Sequence, residues 1–536
     1  MTHGIVVAAQ PEAAEAGAQA LLDGGNAIDA AIACAFVQTV VDPQMSGIAG
    51  FGSMQVYMPE DAVHSVIDFP GRAPAAVTPD MWEHLAEAET EDGFGFVLKG
   101  RLNDLGYQAV TTPGTLRALH DALTRHGTMA WSDLIAPAID FAENGFPVRS
   151  HMHDFWTRQD TGGLTDHIER LRLTATGRRV YFDGNDELLR PGGTLRNPEM
   201  AATLRRIADE GVDVFYEGAI AEAIAADMAA NGGLLSAADL KSYRTDDNDP
   251  LWGTYRGHRI STNQPPGGGV MVLQMLNILE GFDLAARGHN SPEYIRVVAE
   301  AMKRATVDKD NFVGDPHFVD VPLDHLLDKD YAATHSDAIR AGDVARVPRF
   351  GADVEPKDTT HVSVVDEDGN CVSLTHSLGT PSGAITDGLG FMYNGCMGVF
   401  DPRPGRTGSI APGKARFSSI APTIVFRGDD PFIILGAPGG TFIAMGILQV
   451  ILNVIDFGMS IGDAIAAPRL CATSDVIDVV NRIPRYVTRE VEAMGYTVRR
   501  SHRSYHFAGV HAVLVQEDGT LTGAADPGRD GATLVV

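Results

Sequence analysis

Cysteine is scarce in this chain. Its 536 residues hold four, Cys34, Cys371, Cys396 and Cys471, with no Cys-x-x-Cys spacing. That excludes a disulfide framework and a thiolate zinc site, and unpaired thiols fit a reducing, cytoplasmic setting. Long apolar runs are also lacking: none approaches the ~18 residues of a transmembrane helix. The first nine residues have neither the basic flank nor the sustained apolar stretch of a signal peptide. Positive charge is in deficit, with 42 Lys and Arg against 70 Asp and Glu, a net charge of −28 and a pI near 4.9. So acidic a surface repels phosphate backbones and anionic lipid, which excludes nucleic acid and membrane surfaces as expected partners. There is no fixed-period repeat and no low-complexity tract. What is present, 44% hydrophobic and 21% charged residues, is the composition of a globular protein. The length predicts two to four domains or one large layered unit.

The first part of the chain reads as mainly helical. Pro11 to Asp23 carries a helical stripe of Ala14, Ala18, Leu21 and Leu22, and Gly24-Gly25 ends it. Asn26 is the expected N-cap of a second helix, Ala27 to Val41, apolar on nearly all sides and therefore buried. A glycine-rich passage, Gly47 to Gly52, leads into a strand, Ser53 to Met58; its glycines permit either close backbone approach or an ordinary turn. Further helices are expected at Gly114 to His126, Trp131 to Glu143, Glu199 to Glu210, Ala219 to Asn231, Val270 to Leu279 and Asn290 to Val307. Leu251 to Ser261 reads as one strand, and Pro265 to Gly269 as a rigid loop. Residues 340–358, charged and carrying Pro348 and Pro356, read as an exposed segment open to processing. Beyond them strands dominate, at 360–365, 371–377, Thr423 to Phe426, Phe432 to Leu435 and His511 to Gln516, with helices at Phe442 to Ile455 and Ile461 to Ala466. Helices first and strands later imply a layered α/β sandwich.

The chemistry centres on the stretch from Thr359. Two β-branched runs, Thr359 to Val365 and Cys371 to Ser377, flank the turn Asp366-Glu367-Asp368-Gly369-Asn370, a hairpin signal. If the five turn residues are unpaired, Val365 faces Cys371, Ser363 faces Ser373, His361 faces Thr375 and Thr359 faces Ser377. Alternation then collects Thr359, His361, Ser363, Thr375 and Ser377 on one hydroxyl-rich face. Calcium at Asp366 and Asp368 is disfavoured, because the later bidentate glutamate of such a loop is missing.

A strand threonine is ordinarily structural, since its hydroxyl needs a base to become a nucleophile. One solution is to make it N-terminal, so that its own α-amine takes the proton. That requires cutting the chain before Thr359. Two other stretches suit such chemistry. Gly436-Ala437-Pro438-Gly439-Gly440-Thr441 lies between a strand and a helix, where adjacent backbone N–H groups can form either an oxyanion hole or a plain turn. Phosphate binding there is disfavoured, because the P-loop lysine and the dinucleotide spacing are absent. Arg416-Phe417-Ser418-Ser419-Ile420-Ala421-Pro422 offers two hydroxyls ahead of a strand, or simply a polar loop.

Taken together, these stretches resemble the γ-glutamyltransferases (glutathione hydrolases), N-terminal-nucleophile hydrolases made as single precursors. The resemblance spans about Gly4 to Ala532. It includes Asp23 to Ala31, Thr112 to Thr115 and Phe215 through Leu240, is densest at Thr359 to Asp366, and takes in Ser418-Ser419, Ala437 to Gly440 and Ala524 to Pro527. It implies a four-layer αββα sandwich formed jointly by two chains after autocleavage. Residues 1–358 would be a large subunit, supplying part of that unit plus a mainly helical region, and 359–536 a small subunit carrying the nucleophile. Thr359 would be the nucleophile and Ser377, a threonine in the family, its supporting hydroxyl. Gly439 and Gly440 would supply the oxyanion-hole amides, and Ser418 and Ser419 would contact the substrate carboxylate. No metal and no cofactor is implied. The partners would be a small-molecule amide and a water or amine acceptor, in a heterodimer of the two fragments, with a higher oligomer left open.

Three positions depart from the family pattern. Pro70 stands where the family has the arginine that grips the substrate α-carboxylate; Arg72, two residues on, is the candidate to replace it. Val399 stands where an aspartate holds the α-ammonium, and Gly379 where the family has an asparagine. The reading is a self-processing amidohydrolase or acyltransferase of the γ-glutamyltransferase or glutathione hydrolase type. An amide hydrolase for a non-glutamyl small acid, of the oxamate or acylase type, fits the departures better. A catalytically silent binding homologue is the remaining alternative.

Overall fold

The computed structural model describes residues 3–91, 93–159, 163–349 and 359–536. Two antiparallel sheets lie at its centre. One has seven strands in the order Ala532–Val535, Gly4–Ala8, Thr360–Asp366, Cys371–Ser377, Phe51–Met58, Val63–Phe69 and Asp246–Asn248. The other has six: Leu521–Ala524, His511–Val515, Asp430–Gly436, Thr423–Arg427, His258–Thr262 and Leu251–Tyr255.

Alternation along the strands decides what each face meets. Ile5, Val7, Val365, Cys371, Ile434 and Val513 fill the gap between the sheets. Their neighbours Val6, Val362, Val364, Val372 and Leu374 point the other way, onto the helices Pro11–Leu22 and Ala27–Val41. On the second sheet, Val425, Ile433 and Leu435 pack with the helices Gly269–Leu279 and Ile443–Ile455. Helices, sheet, sheet and helices thus follow one another, the layered α/β arrangement expected.

The expected helix boundaries hold to within a few residues. The helix Ala27–Val41 is buried along its whole length. Asn26 caps it: its side chain accepts from the N–H groups of Ile28 (2.9 Å) and Asp29 (3.2 Å), and the Asp29 carboxylate accepts from the Asn26 N–H at 2.9 Å. Such a cap is worth about 1 kcal/mol. The next N–H, that of Ala27, donates to Asp366 Oδ2 at 2.8 Å, which ties the helix start to the turn of the Thr360–Ser377 hairpin.

Three expectations are corrected. Leu251 to Ser261 is two strands rather than one, turned back at Arg256-Gly257 where both residues have positive φ, +49° and +82°. Strands also do not follow helices in sequence order. Gly4–Ala8 sits between the C-terminal strand Ala532–Val535 and the strand Thr360–Asp366, and all five of its residues are buried, so it shows no alternation to betray it. The region 340–358 is not uniformly exposed: Val347 is buried, its N–H donates to Asp475 Oδ1 at 2.9 Å, and Arg349 is ion-paired with Asp310. The rest of that expected processing segment, 350–358, lies outside the described residues.

Candidate active site

The hairpin register is the one expected. His361 pairs with Thr375, Ser363 with Ser373 and Val365 with Cys371, with no bulge. The Cys371–Ser377 strand continues the rows onto Phe51–Met58, where Ser377 pairs with Phe51, Thr375 with Ser53 and Ser373 with Gln55. A band of polar side chains therefore crosses three strands on the face toward the second sheet. Ser373 Oγ donates to the Leu435 carbonyl at 2.9 Å, and the Gln55 amide donates to Ser261, joining the two sheets.

At the end of this band Thr359 is 5% exposed, and its Oγ1 lies 3.2 Å from Ser377 Oγ. Ser377 Oγ also accepts the Gly379 N–H at 2.8 Å, which fixes the serine rotamer. Glycines make this packing possible. A Cβ on Gly50 would lie 2.4 Å from the Ser377 carbonyl oxygen, and one on Gly52 2.3 Å from that of Thr375. The Gly47 to Gly52 passage is thus a close backbone approach.

His361 is the imidazole nearest Thr359 in sequence, yet its nitrogens engage Thr375 Oγ1 (2.7 Å) and Ser363 Oγ (2.9 Å). Burial, with the nearby His511 and His376, holds its pKa well below the ordinary value, so the ring is neutral. It braces the hairpin and is turned away from the threonine hydroxyl.

A small cavity opens at Thr359. Its walls include Ser418 and Ser419 on one loop, Gly440 and Thr441 on another, and Phe51, Gly379 and Val399. Gly439 and Gly440 follow the strand Asp430–Gly436 and precede the helix Ile443–Ile455, at φ +145° and +56°. A Cβ on Gly439 would lie 2.7 Å from Ala508 Cα, so no other residue fits without moving backbone. The N–H groups of Gly439 and Gly440 have no hydrogen-bond acceptor among the described residues. The serine loop is set by the Pro265 to Gly269 loop: the Ser418 N–H donates to the Pro266 carbonyl at 2.8 Å, and Gly268 lies so close that a Cβ there would stand 2.4 Å from the Ser419 carbonyl oxygen.

Most of the residues picked from sequence therefore converge, namely Thr359, Ser377, Ser418, Ser419 and Gly440, with Gly439 alongside. Arg72 does not join them. Its guanidinium is held by both oxygens of Asp246, at 2.7 and 2.6 Å, and it is absent from the cavity wall. Asp246, on a short edge strand paired with Val63–Phe69, holds it there. The arginine that does line the cavity is Arg416, 4% exposed, with its guanidinium 4.1 Å from the Phe51 ring centre. Its place two residues before Ser418 was visible in the sequence; its direction was not.

Residues 13–536 match the family model described as Gamma-glutamyltranspeptidase. An acylase ACY 1 proenzyme of Pseudomonas sp. (strain V22) is 39% identical over 539 residues, which cover 100% of this chain and 94% of the acylase. A glutathione hydrolase proenzyme of Bacillus subtilis (strain 168) is 35% identical, covering 99% of this chain and 91% of the hydrolase. Among solved structures, the cephalosporin acylase from Bacillus halodurans superposes with a TM-score of 0.87 at 28% identity, over 99% of this chain and 96% of that one. The chain is a member of the γ-glutamyltranspeptidase family, and hence an enzyme of the hydrolase and acyltransferase class.

Proposed function

We propose that this protein is a precursor that cuts itself before Thr359, and that residues 1–358 and 359–536 then form one two-chain amidohydrolase. The observation that carries this reading is the 3.2 Å contact between the buried Thr359 and Ser377 hydroxyls at the mouth of the cavity. In the mature enzyme the freed α-amine of Thr359 takes the proton from Oγ1 as that oxygen attacks the substrate amide carbonyl. The Gly439 and Gly440 N–H groups receive the developing oxyanion. The amine leaves with the proton, an ester on Thr359 remains, and water or an amine attacks it in turn. Ser377, held by the Gly379 N–H, orients Oγ1 by hydrogen bonding.

The substrate is a small acid amide without a free α-ammonium. Val399 lines the cavity where an ammonium would need a carboxylate, and burying that charge against valine leaves it unpaired, which is costly. The hydroxyls of Ser418 and Ser419 remain for a carboxylate. The acylase relative accords with this choice, whereas the glutathione hydrolase relative favours a γ-glutamyl substrate as the second reading.

A denaturing gel with N-terminal sequencing tests the mechanism. The small fragment should begin at Thr359, and Thr359→Ala should remain one chain. An active uncut protein, or a fragment starting elsewhere, would defeat it.

A further inference from the structure

Among the described residues Arg416 is a buried cation without a carboxylate partner: it is 4% exposed, and no oxygen there accepts from its guanidinium. Its Nε is buried without a hydrogen-bond partner. Its neighbours are the ring of Phe51 at 4.1 Å, the ring of Phe94 at 5.9 Å and the Cys396 thiol, which burial keeps protonated. A buried guanidinium supported by aromatic faces and a neutral thiol is costly unless something anionic completes it. The opening it faces is the cavity that holds Thr359, Ser418, Ser419 and Gly440.

Room for the guanidinium comes from Gly379. This residue sits at φ +66°, and a Cβ built on it would already lie 3.8 Å from Arg416 Nη2 and 3.2 Å from Cys396 Sγ. A longer side chain there would enter the guanidinium's space. On the other flank, the Arg416 N–H donates to the Gly71 carbonyl at 3.3 Å, which anchors the start of the serine loop.

We infer that Arg416 is the specificity residue of this enzyme: it receives the distal carboxylate of a dicarboxylic acid monoamide, with Ser418 and Ser419 beside it, while Thr359 attacks the amide at the other end. The planar fork of a guanidinium matches a carboxylate through two parallel hydrogen bonds. The inference rests on the amidohydrolase reading for its chemistry, but the cation site can be measured separately.

The probes are glutaryl p-nitroanilide and pentanoyl p-nitroanilide, which differ by a carboxylate in place of a methyl. The processed wild-type enzyme should prefer the glutaryl compound. Arg416→Met should lower kcat/KM for it by roughly 30-fold to 1,000-fold, the range for a lost buried ion-pair contact. Turnover of the pentanoyl compound should fall far less, so that the glutaryl to pentanoyl ratio collapses, because the arginine's carbon stem is replaced by a side chain of similar volume. Arg416→Lys should keep part of the preference. Equal loss on both substrates would assign Arg416 a packing role on Phe51 and overturn the inference, as would an unchanged glutaryl rate. Binding of glutaramate, the free monoamide, and of pentanamide to the wild type, measured by calorimetry, applies even if neither anilide is cut. Glutaramate binding that Arg416→Lys weakens supports the site, and equal affinity for the two amides overturns it. Failure of both anilides with glutaramate binding intact would count against the amidohydrolase reading alone. Should Arg416→Met fail to fold, Gly379→Asn provides the second variant, since asparagine tolerates positive φ. It should reduce the glutaryl to pentanoyl ratio, and an unchanged ratio would overturn the inference.

Discussion

The hydroxyls of Thr359 and Ser377 lie 3.2 Å apart, although eighteen positions separate them along the chain. The hairpin makes this contact by register. Six residue pairs from Thr360–His376 to Val365–Cys371 run without a bulge, so the next position outward places Thr359 across from Ser377.

Ser377→Ala removes that contact and leaves the Gly379 N–H without its acceptor. The variant should fold and self-process, with kcat lower by ~10²–10³, the cost of a preorganised hydrogen bond in an active site. Steady-state kinetics on the processed protein decide it, and an unchanged kcat would remove Ser377 from the mechanism.

Arg72→Met tests a role given up to Asp246. The pair, in which Arg72 Nη2 donates to both Asp246 oxygens, is partly buried, with side-chain exposures of 20% and 29%. Its loss should cost about 1.5–3 kcal/mol, as for hydrogen bonds between charged groups, and should be read as a fall in melting temperature with KM unchanged. A tenfold rise in KM at constant stability would instead return Arg72 to the substrate.

Val399→Asp combined with Pro70→Arg should move preference toward γ-glutamyl compounds. The aspartate would face the cavity that Val399 lines now, and the Pro70 backbone is anchored by the Tyr243 hydroxyl, which donates to its carbonyl at 2.8 Å. The ratio of kcat/KM for γ-glutamyl over glutaryl p-nitroanilide should rise by at least ~10-fold, within the roughly 2–5 kcal/mol of a desolvated ion pair. A ratio that does not move means that the missing carboxylate is not what excludes the ammonium.

Acid should destabilise the protein through its buried histidines. Burial lowers the pKa of His376 and of His511 from 6.5 to about 3, and that of His361 well below 6.5. All three are neutral in the fold. As pH falls below about 6.5, the unfolded chain takes up protons that the folded chain refuses, so stability is full above that pH and is lost progressively toward pH 3. Each histidine contributes a loss of ~1.4 kcal/mol per pH unit within that window. His376, whose Nε2 lies 2.8 Å from Gln38 Oε1, is the one to replace. Denaturation midpoints between pH 7.5 and 5 should fall less steeply for His376→Gln than for the wild type, and parallel slopes would refute the assignment.

Much of this site was legible in the sequence because it is local. A hairpin's register follows from its turn length and its alternation, so the pairing of Thr359 with Ser377 needed only the stretch from 359 to 377. Asn26 and Asp29 announce a helix start because capping acts over three residues. The strand Gly4–Ala8 was not legible, since a strand buried on both faces lacks the period that marks one. Nor was the direction of the two arginines. Arg72 and Arg416 are 344 positions apart, yet each lies along the same backbone contact, Arg72 bridging to Ala415 and the Arg416 N–H bonded to Gly71. Which of them turns toward Thr359 depends on Asp246 capturing one guanidinium and on Gly379 and Phe51 making space for the other. Those partners come from distant parts of the chain, and only the packing of the folded protein brings them together.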